Sequence, residues 1–197
     1  MCVPVRAPVT RAVLSLGSNL GDRLAHLQSA VDGLGDAVSA VSPVFQTAPW
    51  GPVAQNDYLN AIVVVDDAAA DGAEWLRRGQ RLEQRAARMR TVRFGPRTLD
   101  VDVITVDGVR SADPRLTLPH PRAYKRAFVL VPWLAVAPDA VLPRAQGTDG
   151  VDRVADLVAA LPAIERAGVR RRDDLALTVP PLAPASSRDG STDESTT

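Results

Sequence analysis

Hydrophobic and polar positions alternate most regularly in two stretches of this chain. Residues 58–66, Y-L-N-A-I-V-V-V-D, form the clearest β run. Leu99, Val101 and Val103 alternate with Thr98, Asp100 and Asp102, the period-two signature of a half-buried strand. A first strand is predicted over 11–16, R-A-V-L-S-L, followed by the turn-rich G-S-N-L-G-D with its helix-capping residues. Leu24, Leu27, Val31 and Leu34 then recur at helical spacing, with Gly35 as the stop. Residues 37–46 read as a less regular strand, and T-A-P-W-G-P-V-A-Q-N-D as a loop.

Helical periodicity returns between Ala73 and Arg90, where Leu76, Leu82, Ala86 and Met89 form an apolar stripe against an Arg/Glu/Gln face. T-V-R-F-G-P-R is a loop leading into the Asp-bearing strand. Beyond that strand come a hairpin-like V-D-G-V, the segment L-T-L-P-H-P-R, an apolar stretch from Ala127 to Val136 interrupted by Pro132, and one further helix over 151–161. The order is β-α-β-β-α-β with appended elements, which predicts an α+β ferredoxin-like sandwich with a mainly antiparallel sheet and helices packed on it. Domain limits follow: a main unit over 9–162, an extension over 163–179 that adds an edge strand or covers the core, and a tail over 180–197 whose composition is that of a disordered segment.

Composition narrows the function more than the fold. With 197 residues, 46% of them hydrophobic, the chain can build one ordinary core. Lys+Arg and Asp+Glu both total 23, so no global basic field points to nucleic acid. Cys2 is the only cysteine, which excludes a disulfide framework and a thiolate metal cluster. No sustained apolar leader and no run of membrane-spanning length is present, so the expectation is a cytoplasmic protein with no membrane partner. P-loop, dinucleotide-fingerprint and nucleophile-elbow motifs are absent.

Four features carry candidate chemistry. Asp100 and Asp102 project from one face of a strand, about 6–7 Å apart, where like charges repel. A divalent cation would offset that repulsion, since Mg²⁺ is usually held by one or two carboxylates plus substrate phosphates; a solvated strand face is the plain alternative. Arg88, Arg90, Arg93 and Arg97 arrive just before the acids, and phosphoryl transfer needs such cations around the phosphate oxygens. A solvated basic face accounts equally well for Arg93. His120 stands between two prolines, which hold it rigidly; it is a phosphate contact or a structural histidine. Trp50, Tyr58, Phe94 and Phe128 lie in or beside loops, where a flat heterocycle could stack while Asn60 hydrogen-bonds its edge. Trp75 and Trp133 are assigned to the core.

Taken together, L-S-L-G-S-N-L-G-D, T-A-P-W-G-P followed by D-Y-L-N, R-x-R, G-P-R-T-L-D-V-D-V-I and L-T-L-P-H-P-R resemble the 6-hydroxymethyl-7,8-dihydropterin pyrophosphokinase family from about Val13 to about Ala160. The resemblance implies ATP-dependent transfer of a pyrophosphoryl group to the pterin's hydroxymethyl oxygen, with AMP leaving, by a monomer acting on small molecules. It implies two Mg²⁺ ions on Asp100 and Asp102, with Arg88 and Arg97 as the other catalytic residues. Gln80, Glu83, Arg90, Val103, Arg115, Thr117, His120 and Arg126 match ATP-side positions. Thr47, Trp50, Tyr58, Asn60, Phe94 and Phe128 match the pterin side. Three departures stand out: Phe94 where many members have Trp, Pro121 where some have Tyr, and a T-V-R loop one residue shorter than in longer-loop members. A non-enzymatic ferredoxin-like binding module and another metal-dependent nucleotidyl or phosphoryl transferase are the competing readings.

Overall fold

The computed structural model describes residues 10–49, 55–86, 97–145 and 147–179. Trp50, Arg88, Arg90, Arg93 and Phe94, like the tail over 180–197, lie outside them.

Strand β1 (Arg11–Ser18) runs into α1 (Arg23–Leu34), whose first turn is capped by Asp22 accepting the Ala25 N–H at 3.0 Å. Gly35 ends the helix at φ +57°, a conformation open to glycine, with its N–H turned back to the Val31 and Asp32 carbonyls. The stretch expected as one irregular strand is two, β2 (Val38–Val41) and β3 (Phe45–Thr47). Pro43 cannot donate to a ladder, and Ser42 spans the break instead. Its N–H donates to the Ile62 carbonyl at 2.9 Å, and its hydroxyl accepts the Ile62 N–H at 2.9 Å.

β4 (Tyr58–Asp66) follows, then α2 (Gly72–Arg85), capped by Asp71 accepting the Glu74 N–H at 2.7 Å, then β5 (Asp100–Val106). β6 (Ser111–Asp113) and β7 (Leu116–Leu118) form a separate ribbon. The expected V-D-G-V hairpin is therefore only a turn, closed by the Val109 N–H on the Val106 carbonyl at 3.0 Å. A return strand would have no free edge to pair with. The outer edge of β5 is already occupied by Glu83, whose Oε1 accepts the Val101 N–H at 3.0 Å, and by the His120 N–H, which donates to the Ile104 carbonyl at 2.8 Å.

The apolar stretch expected to be broken by Pro132 is one helix, α3 (Ala127–Val136), with Pro132 buried inside it. Proline there removes a single intrahelical donor, and the helix is held by burial instead. The helix expected over 151–161 divides: β8 (Val141–Pro143) pairs with β9 (Val151–Arg153), and α4 (Val154–Ala160) begins only afterwards. Then α5 (Ala163–Ala167) and β10 (Arg170–Arg171) complete the described chain.

The main sheet has the order β10-β3-β4-β1-β5, with β2 also on β4 and every pairing antiparallel. This is the ferredoxin-like arrangement, extended at one edge by β10. Strand alternation divides its side chains between two cores. On one face Leu14, Leu16, Val63, Val65, Val101 and Val103 meet Leu27 and Val31 of α1 and Trp75 and Leu82 of α2. On the other, Val13, Ile62 and Ile104 meet Val129, Leu130 and Trp133 of α3, with Leu142 and Val154. Each fully buried large aliphatic contributes about 1.5–3 kcal/mol. Trp75 and Trp133 are both core residues, as expected.

Candidate active site

The acids of β5 lie on the α3 side of the sheet, beyond the end of that apolar core. Register fixes their neighbours. Gly17 of β1 pairs with Asn60 of β4 on one side and Asp100 of β5 on the other; Ser15 likewise pairs with Ile62 and Asp102. Asn60, Gly17 and Asp100 therefore form one row across three strands, about 9–10 Å from end to end at the usual strand spacing. Glycine keeps the middle of that row flat. A Cβ at Gly17 would meet Asn60 Oδ1 at 3.5 Å, Tyr58 Cδ1 at 3.7 Å and Asp100 Cβ at 4.0 Å.

At the β4 end, the buried Asn60 amide donates to the Thr47 hydroxyl at 2.8 Å. Its Oδ1 is left toward Gly17 as an acceptor, and the Thr47 hydroxyl keeps a proton to donate onward. At the β5 end each carboxylate faces a guanidinium. Arg97 Nη1 donates to Asp100 Oδ2, and Arg126 Nη1 donates to Asp102 Oδ2 at 3.0 Å. Arg126 also lies over the Phe128 ring, 5.4 Å from its centroid.

His120 is held by the turn around the cis Leu118–Pro119 bond, with its Nε2 4.0 Å from Asp102 Oδ2. Its Nδ1 accepts the Arg122 N–H at 3.2 Å, so the neutral ring carries its proton on Nε2, facing the acid pair. Burial pushes the imidazole pKa below its ordinary value. Arg126 and Arg122 push the same way, and Asp102 opposes them.

The acid pair fits a hard cation. It offers carboxylate oxygens on one face, and its charge already draws two guanidinium groups. Among the described residues no three His, Cys, Asp or Glu side chains converge. A cation on Asp100 and Asp102 would therefore complete its coordination with substrate oxygens and water, the usual situation of Mg²⁺.

Other expected residues fall elsewhere. Val103 is buried on the α1/α2 face; strand alternation turns its side chain away from the acids, so only its backbone can face a nucleotide. Glu83 is also buried, and the bond to the Val101 N–H ties it to the strand between the two acids. Gln80 is exposed on α2. Arg115 pairs with Asp113 at 2.9 Å, and the Thr117 hydroxyl donates to the Asp113 carbonyl at 3.1 Å, both on the β6–β7 ribbon.

Sequence reasoning missed Asn19. It is buried, and its Oδ1 accepts the Arg97 N–H at 2.7 Å while its own N–H donates to the Arg97 carbonyl at 3.1 Å. Its Nδ2 donates to Gln55 Oε1 at 2.9 Å and to the Asn56 carbonyl at 3.2 Å. One amide thus joins the ends of the two loops that flank the site. The signal in sequence was an Asn directly after an apolar strand, which also reads as ordinary turn chemistry.

A ferredoxin-like sheet that presents a paired-acid, arginine-rich end beside a heterocycle-sized polar row defines a class of metal-assisted phosphoryl-transfer sites. The family comparison makes this specific. Residues 13–138 match the family model described as 7,8-dihydro-6-hydroxymethylpterin-pyrophosphokinase, and the chain belongs to that family. It is 54% identical over 172 residues to the 2-amino-4-hydroxy-6-hydroxymethyldihydropteridine pyrophosphokinase of Mycobacterium leprae, covering 82% of this chain and 88% of the relative. It is 48% identical over 171 residues to the like-named protein of Mycobacterium tuberculosis, covering 82% and 89%. Among solved structures it is similar in fold to the Plasmodium falciparum HPPK-DHPS triple mutant, with TM-score 0.55 and 13% identity, spanning 79% of this chain and 45% of that one.

Proposed function

We propose that this chain transfers the pyrophosphoryl group of ATP to the hydroxymethyl oxygen of 6-hydroxymethyl-7,8-dihydropterin, giving the pterin pyrophosphate and AMP, in folate biosynthesis. The observation that carries the reading is the row Asn60–Gly17–Asp100. A fused bicyclic ring with one exocyclic carbon spans such a row, its amide edge at Asn60 and Thr47 and its hydroxymethyl group at the acids. Tyr58 and Phe128 supply the stacking faces, with Trp50 and Phe94 assigned to the same pocket.

Asp100 and Asp102 would hold two Mg²⁺ ions, which supply charge neutralisation on the triphosphate and lower the pKa of the incoming hydroxyl. Arg97 and Arg126, paired with the acids in this structure, would turn to phosphate oxygens once a cation shares those carboxylates. Arg88 and Arg90 are assigned to the same neutralisation. His120, with a proton on Nε2, donates to a phosphate oxygen. Gln80, Arg115, Thr117 and the Val103 backbone are assigned to the nucleotide side, and Glu83 to fixing the strand between the acids. Residues 9–162 form the catalytic unit. It is read as a cytoplasmic monomer, and its balanced charge supports the absence of a nucleic-acid partner; among the described residues no helix is long and apolar enough to cross a membrane.

The test is nucleotide product analysis with Mg²⁺ and ATP, with and without the pterin alcohol. AMP that appears only with the pterin is the expected result. ADP or pyrophosphate as product would move the chain to another transferase class. No turnover in a folded preparation would move it to a binding module.

A further inference from the structure

Residues 170–179 lie wholly beyond the segment matched by the family model. They nevertheless join the strand that leads into the pterin side of the site, with Gln46 on the α1/α2 face opposite Leu59 and Thr47 on the other face. β10 pairs with β3 at Arg170↔Gln46 and Arg171↔Phe45, and the Arg172 N–H continues the ladder onto the Val44 carbonyl at 2.9 Å. β3 is the strand that delivers Thr47, and it pairs in turn with the start of β4, where Thr47 lies opposite Tyr58 and Phe45 opposite Asn60.

Side chains extend this connection to the root of the loop before β4. Arg172 Nη1 donates to Gln46 Oε1, and the Gln46 amide donates to Asp57 Oδ2 at 2.7 Å. Arg170 Nη2 lies 3.6 Å from the same Asp57 oxygen. Arg23 Nη1, at the start of α1, donates to the Asp57 carbonyl at 2.7 Å. Downstream, Leu175 and Leu177 pack on the α1/α2 core, and Gln28 clasps Thr178 by two bonds, accepting its N–H at 2.8 Å and donating to its carbonyl at 2.9 Å. The segment is thus fastened at both ends.

We propose that residues 170–179 are a brace for the pterin pocket, with Arg172, Gln46 and Asp57 as positioning residues that set affinity for the pterin and leave the ATP side untouched. The inference rests on the function proposed above. Asp57 directly precedes Tyr58, so holding its backbone and carboxylate fixes where β4 begins. Gln46 directly precedes Thr47, so its orientation bears on the hydroxyl that Asn60 reaches. The acid pair stands on β5, separated from β3 by both β4 and β1, and the described bonds of this relay run to Arg170, Arg172, Gln46 and Asp57.

Gln46→Glu is the discriminating variant. It keeps the side-chain length and still accepts from Arg172, but it sets a carboxylate against Asp57. Arg172→Ala removes the outer link, and Arg172→Lys restores one donor. Steady-state kinetics and direct titration of 6-hydroxymethyl-7,8-dihydropterin on the full chain, alongside thermal melts, separate positioning from mere cover.

The expected result is a pterin KM and dissociation constant raised about 5–10-fold in Gln46→Glu and Arg172→Ala, as for loss of one part-buried hydrogen bond. The KM for ATP should stay within about twofold, and Arg172→Lys should recover part of the loss. Lower melting points with unchanged pterin affinity would overturn the brace and leave the segment as a core cover. Absence of AMP from the unaltered chain would refute the reaction, while the same pterin titrations would still decide the brace. No pterin binding at all would refute both.

Discussion

The two faces of the sheet are built from the same strands and serve opposite ends. Against α1 and α2 the inward positions of β1, β4 and β5 are aliphatic along their length, from Ala12 and Leu14 to Val101 and Val103. Against α3 only part of each strand is apolar. Val13, Ile62 and Ile104 give way to Ser15, Gly17, Asn60, Asp100 and Asp102 as the strands run out beyond α3. Two-residue alternation lets one strand hold a core residue and a site residue side by side. Val101 is buried between Asp100 and Asp102, and it lends rigidity to acids that are themselves poor strand formers. A site on strands backed by a full core is held more precisely than one on loops.

Substitutions on the two faces should therefore separate catalysis from stability. The largest effect on turnover is expected from Asp102→Ala, which should lower AMP formation about 100- to 1000-fold, the range for losing a group that stabilises charge during the reaction, with little change in urea denaturation. Wild-type-like turnover would remove Asp102 from the chemistry. Next comes Trp75→Ala on the opposite face, where Trp75 is 0% exposed. It should cost about 3–5 kcal/mol of folding free energy while the folded fraction keeps its pterin KM. A large KM change would mean the faces are coupled. Smallest is Gly17→Val, in the middle of the row. The first added carbon meets only ordinary contacts, so stability should move little, but the branches would stand where the heterocycle is proposed to lie. The pterin KM should rise about tenfold, a loss of about 1.4 kcal/mol, and an unchanged KM would place the ring elsewhere.

What the sequence disclosed follows from how local each determinant is. β1, α1, β4, α2 and β5 were legible because period-two and period-3.6 patterns need only neighbouring residues. The shared face of Asp100 and Asp102 was legible for the same reason. α3 was not, because a helix apolar on all sides has no stripe to read and Pro132 suggests a stop. The split between β2 and β3 hinges on Ser42 replacing a ladder bond, which only the partner strand reveals. Gly17 looked like ordinary turn glycine, since its role depends on the register of two distant strands. Val103 was assigned by motif position to the nucleotide side, while alternation alone would have sent its side chain to the core. Both expectations for the extension proved compatible: β10 adds an edge strand, and Leu175 and Leu177 cover the core.

Glu83 has a consequence beyond the site. An outermost strand with a row of open N–H groups invites a second polypeptide to add itself, which is how many β-proteins begin to aggregate. On β5 the Val101 donor is already given to a buried carboxylate, and the Ile104 acceptor to the His120 N–H. An intruding strand would have to displace the buried Glu83 side chain to pair at Val101 and the His120 turn to pair at Ile104. The bond that steadies the acids therefore also makes this border of the sheet resistant to self-association.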